Sequence, residues 1–379
     1  MKKINVLHLL TTSNIRGSEK LVIDMSDQSN SNKFNYLVCT LYPLGDLHRL
    51  ATKKKIRSFS LNVKVNFILA ALRMWRLLNE NEVDIVHVYG FRTDMLCRLV
   101  LLFSKTNILV SAIHSVYDEC PKIIFFIDKL LSPLVDLFIS NSIIGAEFHK
   151  SHTKIDNDKY FVAHSGVNTS ALKQDCKENE RHVFRDENNI PNNSIIITLL
   201  AGITGEKGHD TAIKAFSIIK NKYSDSDIKL VFAGKDFTDG EMEVLARKKE
   251  VIKDIFFLGF CNSKKVHQIM NTTDIFILPS LREGLPTVVI EAMSYGLPVI
   301  ATDVGGTSEL LINGETGFLI KPSDVDSLIK KLSILIENEL QRITMGKSGR
   351  KLVETKFSLK QMTLSIEKKY LELYQSKHS

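Results

Sequence analysis

Residues 274–320 read DIFILPSLREGLPTVVIEAMSYGLPVIATDVGGTSELLINGETGFLI. Residues 274–279 are a short apolar run closed by a proline, which predicts a buried strand. A loop over 280–286 follows. Pro286 suits the first position of a helix, where its missing N–H leaves no bond unmade. Residues 287–295 then predict a helix that Gly296 closes. Residues 298–302 predict a second buried strand, and Gly305-Gly306 leads into another helix. Strands alternating with helices in this order predict a parallel, doubly wound α/β sheet.

Two carboxylates mark the stretch. Glu283 lies in the loop before the helix, and Glu291 lies more than one turn inside it. That geometry separates them, so they are not expected to act as a paired acid and base. Each is placed to accept hydrogen bonds from a ligand lying across the helix start. Unpaired N–H groups and a partial positive charge there suit a phosphate. Glycines 284, 305 and 306 let backbone amides approach a ligand closely. A site for sugar hydroxyls and a diphosphate needs these parts.

The run Glu283-Gly-Leu-Pro-Thr-Val-Val-Ile-Glu291 resembles the E-x7-E signature of family four retaining glycosyltransferases (glycosyl transferases group 1), which have the GT-B fold. Gly-Leu-Pro-Val-Ile-Ala-Thr, Gly-Gly-x-x-Glu309 and Asn313-Gly-Glu-Thr-Gly317 continue the resemblance in register. It implies two Rossmann-like domains facing across a cleft, with a last helix crossing back to the first domain. On the donor side it implies contacts from Glu291, Gly284, Leu285, Pro286, Thr287, Gly305, Gly306 and Glu309, with Glu283 on the donor sugar.

The chain of 379 residues is long enough for two domains, and 44% apolar content suffices for two cores. No apolar run is long enough to span a membrane. The N-terminal ten residues read as a first strand rather than a signal segment. Five scattered cysteines (39, 97, 120, 176, 261) with no C-x-x-C argue for a reducing compartment and against a zinc site. Charge is uneven. Residues 1–172 carry 21 Lys and Arg against 15 Asp and Glu, whereas residues 173–379 carry 29 against 28.

In the first half, strands are expected over 4–10, 36–41, 57–61, 84–89, 108–114, 137–140 and 160–164, with helical patterns between most of them. Ligands of such sheets bind beyond the carboxyl ends of the strands. The first strand leads through 11–16 into Gly17-Ser18-Glu19, which is similar to the family's Gly-Gly-x-Glu loop and is an acceptor-side candidate. A plain strand-to-helix turn is the competing reading. His87 and His114 are expected at strand ends, where an imidazole serves a sugar hydroxyl or a nearby charge. The resemblance places His114 at the reaction centre, while His87 remains an acceptor-side candidate. His164-Ser165-Gly166-Val167-Asn168 resembles the family's turn closing the first domain.

Between Leu47 and Asn79 stand eight basic residues (Arg49, Lys53, Lys54, Lys55, Arg57, Lys64, Arg73, Arg76) and no acidic ones. They adjoin an amphipathic pattern over 67–78 containing Trp75. This pairing suits an anionic membrane surface; a solvated helix face is the plainer reading. No nucleic-acid-binding module appears.

The second half opens with a strand over 195–201 and the loop Gly202-Ile-Thr-Gly-Glu-Lys207-Gly208. It is similar to the family's Arg-Leu-x-x-x-Lys-Gly loop, and Lys207 falls on the lysine that faces the donor diphosphate. Gly202 stands where the family has Arg, a departure that bears on leaving-group stabilisation. Strands over 230–234 and 255–259 follow. The resemblance puts Gly234 and 257–260 near the nucleotide. Helices are expected over 324–339, 340–356 and 358–375. The domain division is then 1–172 (acceptor side), a connection over 173–193 without clear periodicity, 194–357 (nucleotide-sugar binding) and a terminal helix over 358–379.

The expected activity is metal-independent, retaining transfer of a hexose from a nucleotide diphosphate sugar, UDP ahead of GDP. The acceptor would be a hydroxyl of a glycan or lipid-linked substrate in bacterial surface polysaccharide synthesis. No cofactor is expected, and the enzyme would be cytoplasmic or peripheral on the inner face of the membrane. A nucleotide-sugar epimerase of the same fold and a catalytically weak nucleotide-sugar-binding scaffold are the alternatives, the latter because of Gly202.

Overall fold

The computed structural model describes residues 2–15, 17–29, 32–63, 66–106, 108–114, 121–169 and 178–378, with the side chains of 178–180 and 182 also outside the description. Expectations touching Arg16, Lys64, Cys120, Cys176 and residues 173–177 therefore fall outside the described residues. The chain divides into two compact units, one of Met1–Gly166 with Leu359–Ser379, the other of Val167–Ser358.

In the first unit, the strands are β1 (Ile4–Leu10), β2 (Phe34–Thr40), β3 (Arg57–Ser60), β4 (Ile85–Tyr89), β5 (Ile108–Ile113), β6 (Leu137–Ser140) and β7 (Tyr160–Val162). They form one parallel sheet in the order β3-β2-β1-β4-β5-β6-β7. Between them run α1 (Gly17–Gln28), α2 (Asp46–Lys53), α3 (Phe67–Glu80), α4 (Phe91–Leu101), α5 (Lys122–Leu130) and α6 (Ile143–Thr153). The strands are apolar on both sides because helices cover both faces. Along β4, Val86 and Val88 join one core with α3 and α4, and Ile85 joins the other. This is the period-two alternation of a strand.

The second unit begins with α7 (Glu178–Glu187). The expectation of an aperiodic connection over 173–193 fails over this helix. Phe184 is fully buried against Ile190, Ile196, Val231, Ala233 and Ile269. Buried Arg185 donates to the Pro191 and Ser194 carbonyls. A helix anchored by one phenylalanine and the stem of one arginine shows no apolar stripe in its sequence.

The unit continues through β8 (Ile195–Leu200), α8 (His209–Lys222), β9 (Ile228–Ala233), α9 (Glu241–Lys248), β10 (Ile255–Phe257), α10 (Ser263–Thr272) and β11 (Ile275–Leu278). Then come α11 (Thr287–Ser294), β12 (Val299–Thr302), α12 (Thr307–Leu310), β13 (Gly317–Ile320), α13 (Val325–Glu337) and α14 (Glu339–Lys356). The parallel strand order is β10-β9-β8-β11-β12-β13. Strand β13 was not expected. Gly317 pairs with Val299, and a Cβ on it would stand 2.7 Å from the Val299 carbonyl oxygen. This glycine, the last of the Asn313–Gly317 run, is a close approach inside a sheet.

The last helix, α15 (Leu359–His378), returns to the first unit. Its Leu359, Met362, Ile366 and Tyr370 pack on Ile4, Val6, Tyr36, Ile85 and Val110. Burying each of the three aliphatic side chains contributes about 1.5–3 kcal/mol.

Candidate active site

The second unit builds its site where β8, β11 and β12 end side by side. The loops after these strands lock together. Leu281 N–H donates to the Glu206 carbonyl at 2.7 Å, and Gly306 N–H donates to the Gly284 carbonyl at 2.6 Å. Gly208 (φ +70°) faces the Pro279 carbonyl, and Gly305 (φ +52°) faces that of Glu283. A Cβ at either would lie 1.9 Å from the oxygen, so only glycine fits. The expected ligand role of the Gly306 amide changes accordingly. Gly305 seats the Glu283 loop, and the Gly306 amide is already engaged by Gly284.

This locking aims two predicted residues at one point. Lys207 Nζ lies 2.8 Å from Glu283 Oε1, and Ser280 Oγ donates to the same oxygen at 2.7 Å. Ser280 is itself positioned by Thr302, whose hydroxyl donates to its carbonyl at 2.5 Å. Lys207 is partly exposed and Glu283 nearly buried. Next to them α11 begins at Thr287; Val289 N–H donates to the Pro286 carbonyl at 3.0 Å, which leaves the amides of Thr287 and Val288 at the helix start. Glu291 sits one turn further along α11, half-buried, and Glu309 lies half-buried on α12. Leu285 is buried in the core beneath the loop, so its side chain serves packing.

Gly202 lies at the end of β8. The Phe237 ring comes within 3.3 Å of the position a Cβ would take there. His209, first residue of α8, is a residue the sequence reading left unassigned. It is 1% exposed, with neither ring nitrogen hydrogen-bonded among the described residues. Burial lowers its pKa to about 4, so it is neutral at pH 7.

The first unit holds a different kind of chemistry. His114 follows β5, its ring 5.3 Å from that of Tyr89, and burial lowers its pKa to about 4. His87 lies in the middle of β4, not at its end, and is 2% exposed. Its Nδ1 is 2.6 Å from the Tyr370 hydroxyl of α15 and 3.2 Å from that of Tyr89. The Tyr89 hydroxyl also lies 3.1 Å from Nδ1 of His8, which is fully buried. Burial, then its neighbours His8 and His114, hold His87 well below the ordinary range, and burial lowers His8 to about 3. His87 is thus interior, and of the two only His114 stands at the strand end. His87, Tyr89, His114, Asn141 and Ser165 line a cavity of about 20 Å³. Gly17 and Ser18 open α1, where the Ser18 hydroxyl donates to Glu19 at 3.1 Å.

The basic segment does not form one stripe. Arg49 pairs with Asp46, Lys54 with Asp27, and Arg73 donates to the carbonyls of Leu61 and Asn62. The apolar side of the expectation is present. Phe67, Ile68, Leu69, Leu72 and Trp75 of α3 are exposed. Trp75 Nε1 donates to the carbonyl of Phe103, which is itself 79% exposed.

Among the described residues no helix is long and apolar enough to cross a membrane, and no group of three or more His, Cys, Asp or Glu could hold a metal ion.

Residues 15–171 match the family model described as Glycosyltransferase Family 4, and residues 180–352 that of Glycosyl transferases group 1. A putative glycosyltransferase of Bacillus subtilis, EpsD, is 30% identical over 73% of each chain. The chain is a group 1 glycosyltransferase. It is also 24% identical to the capsular polysaccharide biosynthesis glycosyltransferase CapM of Staphylococcus aureus, over 98% of this chain and 97% of that one. The Escherichia coli UDP-Gal:alpha-D-GlcNAc-diphosphoundecaprenol alpha-1,3-galactosyltransferase is 25% identical over 81% and 80%. The structure of Anabaena HepE in complex with UDP superposes with a TM-score of 0.86 at 17% identity, over 97% of this glycosyltransferase and 100% of that chain. That likeness gives the fold, GT-B, with its two parallel-sheet domains.

Proposed function

We propose that this glycosyltransferase moves a hexose from a UDP-sugar to a hydroxyl of a lipid-linked or glycan acceptor in surface polysaccharide synthesis, with retention and without a metal. The observation that carries the reading is the convergence of Lys207 and Glu283 beside the start of α11. The hard step is breakage of the bond from the anomeric carbon to the diphosphate, which leaves negative charge on the departing oxygen. The Lys207 ammonium and the α11 amides meet that charge without reorganising. Glu291 accepts from the ribose hydroxyls and Glu283 from those of the donor sugar. The acceptor oxygen bonds to the anomeric carbon on the face the diphosphate leaves, and its proton passes to the departing phosphate oxygen. The two carboxylates do not form a glycosidase-like pair, because Glu283 is committed to Lys207 and Ser280.

UDP as the donor nucleotide is supported by the Escherichia coli relative, whose name specifies UDP-Gal, and by the UDP complex of the Anabaena neighbour. A lipid-linked acceptor is supported by that relative's diphosphoundecaprenol substrate. The exposed apolar face of α3 fits such an acceptor, because it would rest on the cytoplasmic membrane surface with Arg76 at the headgroups. The test is transfer from radiolabelled UDP-sugars to an undecaprenyl-diphosphate-linked saccharide, with and without chelator. Transfer with net retention, unchanged by chelator, is expected. Epimerised donor formed without acceptor would replace this reading with an epimerase.

A further inference from the structure

We propose that Lys235 supplies the second cation for the donor diphosphate, taking over from the arginine absent at Gly202, with Phe237 as the wall that holds it there. The proposal rests on the donor site proposed above. A nucleoside diphosphate brings about three negative charges, and the site's one central cation, Lys207, is already paired with Glu283 at 2.8 Å. A second cation is needed, and residue 202 has no side chain.

The loop after β9 fills that place. It is bonded to the residue-202 loop on both sides. Ile203 N–H donates to the Lys235 carbonyl at 2.9 Å, and Phe237 N–H donates to the Ile203 carbonyl at 3.0 Å. The Phe237 ring lies 3.3 Å from where a Cβ of residue 202 would stand, so an arginine there would have to displace it. Phe237 is nevertheless 63% exposed, an unusual position for a phenylalanine that only fills a gap. The Lys235 ammonium stands 5.2 Å from the centroid of this ring, a cation–π distance. Among the described residues it forms no ion pair.

The same loop reaches the Lys207 turn. His209 feels the charges of both Asp236 and Lys207. The other nearby basic group, Arg282, stands 3.8 Å from Glu206 and is already partnered. Lys235 is therefore the cation left available on the loop that follows β9 beside β8. Its role is electrostatic, so it discriminates by phosphate charge and not by base or sugar.

The test is calorimetric titration of the full chain with UDP, UMP and uridine, at two salt concentrations. Lys235→Met is expected to weaken UDP at least tenfold, weaken UMP less and leave uridine unchanged. Lys235→Arg should retain UDP binding and its salt dependence. In a Lys235→Met, Phe237→Ala background, Gly202→Arg should restore most of the lost UDP affinity. Lys207→Met serves as the control for the site itself. UDP affinity within twofold of wild type in Lys235→Met, alongside a loss in Lys207→Met, overturns this proposal and leaves the donor site standing. Loss in Arg282→Met without loss in Lys235→Met overturns it in favour of Arg282. Failure of the wild-type chain to bind any nucleoside diphosphate overturns the proposal and the donor site together.

Discussion

The two units share one βα design but differ at the polar groups by their strand ends and sheet faces. In the second unit the charged pair Lys207–Glu283 stands at the strand ends, partly open to solvent, on loops fastened backbone to backbone. In the first unit the comparable groups are sealed in. His8, His87, Tyr89 and Tyr370 bond one another inside the sheet–helix interface. A second cluster joins α4, α5 and α6. Arg98, with no exposed surface, bonds Asp94 at 2.6 Å and Asp128 at 2.5 Å, and Asp128 meets His149 at 2.6 Å. On the proposed function, the second unit keeps the Lys207–Glu283 pair for a ligand, while the first unit's polar clusters hold its helices in place. Disturbing the first kind should cost activity, and disturbing the second should cost stability.

The largest expected effect is acid sensitivity of the first unit, greater than the contribution His209, with a pKa of about 4, makes in the second. His8 is held neutral with a pKa of about 3, against about 6.5 in an unfolded chain. Between these values the unfolded state binds the proton and the native state does not, so stability falls as pH drops. The slope is about 1.4 kcal/mol per pH unit, or roughly 5 kcal/mol over the whole window. His87, lowered in the same direction, adds to it. The chain's one tryptophan, Trp75, lies on α3 and reports this unit alone. Its fluorescence in urea should show a midpoint that falls from pH 7 to pH 4.5, and His8→Phe should flatten the trend. A flat wild-type profile would remove the contrast.

Next in size is Arg98→Ala. It leaves Asp94 with the Ser111 hydroxyl and Asp128 with His149 as remaining partners, and breaking a buried charge pair costs about 3–5 kcal/mol. The Trp75 transition should move by that amount while nucleotide protection of the second unit persists. Glu283→Ala and Lys207→Ala should do the reverse. Removing a preorganised charge at a departing oxygen typically costs about 100- to 1000-fold in turnover. For these two variants the urea midpoint should stay within error. A stability loss matching the activity loss would mean that the pair is structural. The smallest effect is Tyr370→Phe, which removes the hydroxyl bonded to His87 and should cost about 0.5–1.5 kcal/mol in the first unit only.

The same contrast explains what was legible in the sequence. The second unit's site sits within two short stretches, around Gly202–Gly208 and from Ser280 to Glu309, because interlocked loops demand glycine at fixed places and a carboxylate between them. Gly305 could be read without coordinates, although its reason, the Glu283 carbonyl 1.9 Å from any Cβ, could not. The strands were legible from their apolar runs in both units. The first unit's clusters were not, because Tyr370 and His87 are 283 residues apart and each looks ordinary in its own neighbourhood. Helix α7 was missed because a single buried phenylalanine makes no period. Phe237 was missed because no local pattern links it to residue 202.

The central claim is that the Lys207–Glu283 corner binds a donor diphosphate. Its most direct test is thermal unfolding of the second unit with UDP, GDP or ADP, in chelator, for the wild-type chain and Lys207→Met. Ligand at one hundred times its dissociation constant should add about 2.7 kcal/mol. We expect that stabilisation with UDP in the wild type and its loss in Lys207→Met. Equal stabilisation of both proteins, or none with any nucleotide, would contradict the account.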